Sequence, residues 1–294
     1  MKVNYECASC MLRQSREAIE HAVSDEKRRM DVTLDVLSFM NDNFKKNKQS
    51  NKLGTDLHHY IMDKTGNYDP YKKLRLEGNL VATNLLSTVE KYLDENPSFE
   101  NYVRVAVAGN VIDFGALEES TDMKSFLLKQ INVNPVINDT ALLEQSLEKA
   151  CTVLYLADNG GEIVFDKLLI QKIKEEYDVD ITLALKESPI LNDALVSDAK
   201  DLNLDKYVNI ISTGAGSVGV VEEYVSDELK NLLNTVDLVI SKGMGNFEGL
   251  TEMKIDSPVF FLLTTKCNVI SREIGVGINS PIIVKKIFPN SNAF

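Results

Sequence analysis

From about residue 100 the chain stops reading as helices and begins to alternate. "TVLYLAD", "DITLALK", "YVNIIST", "DLVISKG" and "VFFLLTT" are short, near-continuous apolar runs rich in β-formers, with helical or turn segments between most of them. A strand that is apolar on nearly every side chain is covered on both faces, and helical connections let successive strands run parallel. The pattern predicts an α/β fold over residues 101–294, a mostly parallel sheet between two helical layers. "VRVAVAGNVIDFG", just ahead of these runs, also begins with a strand-like alternation.

Residues 1–100 predict a helical N-terminal domain. Between Met11 and Phe44, Leu12, Ile19, Ala22, Val23, Met30, Leu34, Leu37 and Phe44 recur at roughly helical spacing among charged residues. "KKNKQSNKLGT" reads as a polar link, and "DLHHYIMDKTG" as a short helix stopped by Gly66. A turn at Asp69-Pro70 opens a further helix that ends near Asn96-Pro97.

In open α/β sheets ligands bind beyond the carboxyl ends of the strands, and here those ends are unusually polar. "ADNGGE" follows the first run with Asp158 and Asn159, and "LKESPILND" follows the second with Asp193. Two carboxylates and an amide oxygen are hard donors that suit Mg²⁺ or Mn²⁺, ions that keep waters and share their shell with substrate phosphate. Gly160 and Gly161 are expected to let a substrate approach the backbone, with the next helix aiming its free N–H groups at the same space. The competing reading is that Asp158 and Asn159 only form a turn and an N-cap, as those residue types often do. "SKGMGNFEGL" adds Lys242, Asn246 and Glu248 as candidate substrate contacts, and "TTKC" puts Lys266 at the last strand's exit as a point charge for a phosphate.

Gly214-Ala215-Gly216-Ser217-Val218-Gly219 fits a dinucleotide fingerprint. It sits in a late β-α unit rather than the first, and the next strand ends in Ser241 and Lys242 with no acid for a ribose. A loop whose N–H groups cradle a phosphate or shape the pocket fits better. Cys7 and Cys10 form a C-x-x-C, half a metal site or a redox pair, which Cys151 or Cys267 could complete only if the fold brings them near. His21, His58 and His59 fall in the helical region, expected to be away from the sheet's carboxyl edge, which leaves serine or cysteine nucleophile schemes without a base.

A net charge of −12 (Lys+Arg 32 against Asp+Glu 44) repels nucleic acid and anionic membrane, so neither is an expected partner. An anionic ligand then needs a local cationic device or a metal. The start of the sequence lacks the apolar core of a signal peptide, no run reaches membrane-spanning length, and four cysteines in 294 residues are too few for a disulfide framework. A soluble cytoplasmic protein with reduced thiols is expected.

"CASCMLRQ", "TGNYDPYKKLR", "AGNVIDFG", "LADNGGEIVFD", "KESPILNDA", "SKGMGNFEGL" and "TTKCNVISREIGV", in that order, resemble the damage-control phosphatase family, catalogued as domain of unknown function 89. The likeness spans nearly the whole chain and is greatest to the archaeal and bacterial branch with an N-terminal C-x-x-C. It implies a helical N-terminal part, a Rossmann-like sheet domain, and a phosphatase that needs a divalent metal (Mg, Mn, Co or Ni). The implied substrates are small phosphorylated metabolites: sugar phosphates, phosphopantetheine-like compounds or damaged metabolites. The family's metal-holding Asp-Asn pair and later Asp fall on Asp158, Asn159 and Asp193. Asp158 is the first choice as metal ligand, and the alternative that it or Asp193 activates water or attacks phosphorus directly stays open in the sequence. Its substrate contacts fall on Asn246, Glu248 and Lys266, and "GNVIDF" adds Asn110 and Asp113 as pocket-lining residues. The eukaryotic branch's Arg-Thr-x-Lys is Leu263-Thr264-Thr265-Lys266 here, so its arginine and the substrate preference tied to it are not expected. Two rivals stand beside this reading: a methyltransferase or nucleotide-dependent enzyme on the same kind of sheet, and a non-catalytic protein that binds a phosphorylated ligand.

Overall fold

A computed structural model describes residues 1–110 and 122–286. The first 110 of these are helical: α1 (Glu6–Ala22), α2 (Glu26–Asn43), α3 (Ser50–Thr65), α4 (Lys72–Glu95) and α5 (Phe99–Gly109). Asp25 caps α2 by accepting from the Arg28 N–H at 2.8 Å, and α3 stops at Gly66 in the left-handed region, φ +71°. α3 starts inside the segment expected to be a polar link, which shortens that link to its first few residues.

Two features of this part differ from the periodicity. Met30, Leu34 and Leu37 of α2 are exposed, and the helix buries Val32, Val36 and Met40 instead. Both faces are apolar enough to carry a helical period, and only packing against α1 and α3 chooses between them. "VRVAVAG" is not a strand but most of α5. Val103, Val105, Ala106, Val107 and Ala108 are all buried, some against the sheet and α8 and others against α4. A short helix buried on all sides loses its amphipathic period and cannot be told from a strand by pattern alone.

The remaining helices are α6 (Met123–Ile131), α7 (Thr140–Leu147), α8 (Glu162–Glu176), α9 (Val196–Asp201), α10 (Asp227–Thr235), α11 (Gly243–Leu250) and α12 (Asn268–Ile274). The five apolar runs became β2 (Thr152–Leu156), β3 (Asp180–Leu185), β4 (Asn209–Ser212), β5 (Leu238–Lys242) and β6 (Val259–Thr264). β1 (Ile137–Asn138) and β7 (Pro281–Lys286) complete a seven-stranded sheet of order β1-β7-β6-β5-β2-β3-β4. Every pairing is parallel except β6 with β7.

One face of the sheet packs with α5, α7, α8 and α9, and the other with α10, α11 and α12. This is the expected three-layer α/β/α arrangement, with strands such as β6 buried at every position. α1, α2 and α3 form a smaller core of their own around Leu53, Leu57 and Ile61. Among the described residues no helix is long and apolar enough to cross a membrane.

Candidate active site

The chain leaves β2 and then runs one way to β3 and β4, while β6 lies on the other side of β5. The carboxyl ends of β2 and β5, side by side, therefore mark the switch point of the strand order, where an open α/β sheet leaves a crevice. Asp158 follows β2 there. The loop after β3 returns alongside it: Gly160 N–H donates to the Asn192 carbonyl (2.7 Å), Ala194 N–H donates to the Asp158 carbonyl (2.8 Å), and Asn159 and Asp193 form an antiparallel bridge. This short backbone ladder brings Asp158 and Asn159 beside Asp193. Leu191, at the bend before Asp193, has φ +46°, a conformation that disfavours a leucine by about 1–2 kcal/mol.

The floor of the crevice is the start of α11. Gly243 has φ +75°, and a Cβ there would lie 1.8 Å from Asp158 Oδ2. Only glycine lets α11 begin so close to that carboxylate. Gly160 serves a different purpose from the one expected of it: a Cβ would lie 2.6 Å from the Arg75 side chain and 3.2 Å from the Asn192 carbonyl. Its missing side chain admits protein groups. Arg75, buried on α4, pairs with Asp69 at 3.0 and 2.7 Å, and Asn79 accepts from Gly161 N–H while donating to Asp198. The helical region thus braces the Asp158–Gly161 loop directly.

Burial raises the proton affinity of both carboxyls. For Asp158 the neighbouring Asp193 and Glu162 raise it further, against the ammonium groups of Lys186 and Lys266. For Asp193 the main opposition is Lys186, whose Nζ stands 3.6 Å away and donates to the Gly219 carbonyl at 2.9 Å. Two carboxylates held together at the sheet's edge with incomplete compensation are what a divalent cation would satisfy. Among the described residues no three His, Cys, Asp or Glu side chains gather as a metal cluster. The expected set has only two such groups and is completed by the Asn159 amide, so the donor chemistry of Asp158, Asn159 and Asp193 fits a hard cation.

The other expected residues divide. Lys266 is exposed, lines the cleft above the site and is close enough to lower the Asp158 carboxyl. Asn110 is buried beside Asp158, donating to Asp158 Oδ2 at 3.1 Å and to Glu162 Oε2 at 3.0 Å. Asn246 donates to the carbonyls of Ala157 and Lys242, fixing the floor. Lys242 does not face the cleft: it is 0% exposed, and its ammonium lies among Glu162, Asp166 and the Ala106 carbonyl. A strand's side chains alternate, and Lys242 falls on the inner side of β5. Glu248 likewise turns away, accepting from Ser50 Oγ beneath the helical region. Asp113 lies outside the described residues.

A cleft of about 470 Å³ opens above the site. Gly160, Asn192, Met244, Lys266 and Cys267 line it from the sheet side, and Arg13, Gln14, Glu17 and His21 of α1 from the other. Two of the histidines are therefore not remote from the carboxyl edge: His21 is in the cleft wall, and His59 Nε2 is 2.7 Å from the Gly216 carbonyl. They come near because α1 and α3 lie over the strand ends. The Gly214–Gly219 segment opens no helix, since α10 begins only at Asp227 behind its cap Ser226, and Lys186 and His59 hold its carbonyls. Cys10 and Cys267 both border the cleft, and burial together with the nearby Glu248 and Cys267 pushes the Cys7 thiol up. Cys151 is exposed at the start of β2, the opposite end of the strand, and all four cysteines are free.

Arg75, Asn79, Glu162 and Lys186 were not anticipated. Glu162 and Asp166 had a readable signal: two acids four residues apart in "EIVFDKLLI", apolar but for them and Lys167, must be buried and paired.

A model of the damage-control phosphatase ARMT1-like domain matches residues 3–282. The chain is 35% identical over 276 residues to a damage-control phosphatase of Pyrococcus horikoshii, covering 94% of this chain and 95% of the relative. It is 29% identical over 289 residues to a damage-control phosphatase of Archaeoglobus fulgidus, covering 96% and 98%. A crystal structure of a DUF89 family protein from Pyrococcus horikoshii superposes with a TM-score of 0.88 at 33% identity, covering 97% of this chain and 99% of that one.

Proposed function

The chain belongs to the damage-control phosphatase ARMT1-like family, and from that premise we propose that it is a metal-dependent phosphatase hydrolysing phosphomonoesters of small metabolites. The observation that carries this reading is the ladder between the 158–160 and 192–194 segments, which gathers Asp158, Asn159 and Asp193 at the switch point. Asp158, Asn159 and Asp193 would hold a divalent cation (magnesium, manganese, cobalt or nickel), whose charge would offset that of the phosphoryl group. Lys266 binds the outer phosphoryl oxygens as a mobile point charge. Asp158 and Asp193 are the two candidates for the group that takes a proton from the attacking water or attacks phosphorus itself. Arg75 and Asn79 keep the loop in register while the substrate is bound, and the α1 wall shields the reacting end from bulk water.

The Gly214–Gly219 loop speaks against a nucleotide-dependent rival, because its carbonyls are engaged by Lys186 and His59 and no helix N-terminus follows it. The test is a panel of phosphometabolites assayed for phosphate release with Mg²⁺, Mn²⁺, Co²⁺ and Ni²⁺, with and without chelator. Release that depends on the metal is expected. Undiminished release after chelation refutes metal dependence, and tight substrate binding with no turnover in any condition refutes the enzyme.

A further inference from the structure

Directly beneath Asp158 is a set of charges that the proposed chemistry leaves unused. Glu162, Asp166 and Lys242 are each 0% exposed. Lys242 Nζ donates to Glu162 Oε1 at 2.5 Å, to Asp166 Oδ1 at 2.6 Å and to the Ala106 carbonyl at 2.9 Å, and the Tyr155 hydroxyl donates to Asp166 Oδ1 at 2.8 Å. A buried ion pair is weak evidence for stability, since apolar groups of the same volume usually do as well. Its position needs another reason.

Glu162 Oε2 supplies one. It accepts from Asn110 Nδ2 (3.0 Å), from Asn159 Nδ2 (3.2 Å) and from the Asn159 backbone N–H (3.3 Å). The same two side-chain amides also donate to Asp158 Oδ2, at 3.1 Å from Asn110 and 2.9 Å from Asn159. Glu162, held in an ion pair by Lys242, can only accept, so the edge of each amide that faces it has to be its NH₂. Both hydrogens of each NH₂ are spent there. Asn159 is thereby locked with its nitrogen inward, and its Oδ1, on the opposite edge, is left for a cation. Asn110 is locked in the same sense, its Oδ1 accepting from the Thr264 N–H at 3.4 Å. Lys242 in turn fixes Glu162 by claiming its other oxygen.

We propose that Glu162, anchored by Lys242, is a positioning residue that sets the amide orientation of Asn159 and Asn110 and thereby the aim of Asp158. This rests on the metal-site reading above. It assigns Lys242, which the sequence suggested as a substrate contact, to the underside of the same site.

The Glu162→Gln variant keeps the shape but turns an amide nitrogen either toward Lys242 or toward the two asparagine amides, donor against donor. Thermal unfolding of the chelated protein titrated with Mn²⁺ reads the metal midpoint apart from turnover. The expected result is a midpoint at least tenfold higher in Glu162→Gln, the usual scale for groups that orient a ligand. In the double variant Glu162→Gln/Lys242→Gln, the second glutamine can accept from the first and donate to Asp166, so the midpoint is expected to return to within about threefold of wild type. A purely structural pair would lower the melting temperature without metal and leave the midpoint where it was. That result, or a double variant no better than the single one, overturns the proposal.

If the variants do not fold, the unaltered protein still decides. Side-chain amide protons of Asn159 and Asn110 are expected to exchange slowly with water, both in chelator and in Mg²⁺. Exchange of Asn159 at the rate of an exposed amide overturns the proposal. The amide measurement does not depend on turnover, so an inactive wild type would count against the phosphatase reading alone.

Discussion

The Gly243→Ala substitution tests the approach of α11 to Asp158 most directly. Two penalties apply. The first is conformational: at φ +75° a residue with a Cβ is disfavoured by about 1–2 kcal/mol. The second is steric, because the new methyl would stand 1.8, 2.2 and 2.8 Å from Asp158 Oδ2, Cγ and Oδ1. To reach an ordinary contact at 3.4 Å the carboxylate must retreat by about 1.6 Å, more than the ~1 Å misplacement that lowers turnover roughly 100-fold. Overpacking adds about 1–3 kcal/mol, so the total loss of stability is about 2–5 kcal/mol. Gly275→Ala is the matched control. Its φ is +86°, but among the described residues nothing lies within 4 Å of the added Cβ. It should lose only the conformational part, about 1–2 kcal/mol, and keep its kcat/KM. Urea unfolding and initial rates of phosphate release on both variants separate the two penalties. Equal stability losses with wild-type kcat/KM in Gly243→Ala would refute the close approach and, with it, the argument that glycine is required there.

Asp158→Asn should abolish turnover yet raise the melting temperature of the chelated protein, since burial and Asp193 disfavour the charged form it removes; a lower melting temperature would contradict the electrostatics. His58 is buried, its Nε2 unbonded among the described residues, and burial lowers its pKa to about 4. The unfolded chain then takes up a proton before the folded one does, so stability is full above pH ~6.5, falls as the pH drops toward 4 and levels below it, by about 3 kcal/mol in all. Urea midpoints across that range check this, and His58→Phe should flatten the profile if it folds. Lys266→Ala should retain metal-dependent turnover with a mixed rise in KM and fall in kcat worth about 1–3 kcal/mol, the scale of one charged hydrogen bond. Kinetics indistinguishable from wild type would make Lys266 a solvated surface residue.

How much of this could be read beforehand depends on how local the cause is. The parallel strands were legible because burial on both faces leaves nothing charged in "VFFLLT" or "TVLYL". Asp158 and Asp193 were legible as polar residues at strand ends, although the ladder that joins their loops left no trace in composition. α5 was misread as a strand because a helix enclosed on all sides has no polar face to betray its period. Lys242 was misread because a lysine before Gly-Met-Gly resembles a phosphate contact, and its direction is settled only by which side of β5 faces α8. β7 went unseen because an antiparallel edge partner to β6 carries the mixed sequence "PIIVKK".

The cleft also has a consequence for how such a protein changes over generations. The end we propose to react is tied to a backbone ladder between two sheet loops, whereas Arg13, Gln14, Glu17 and His21 project from α1, at the far end of the sequence from Lys266. None of the four α1 side chains bonds to the ladder. Substitutions along α1 can therefore alter which molecules are admitted without shifting the carboxylates. A lineage built this way can diverge in substrate while inheriting its hydrolytic step unchanged.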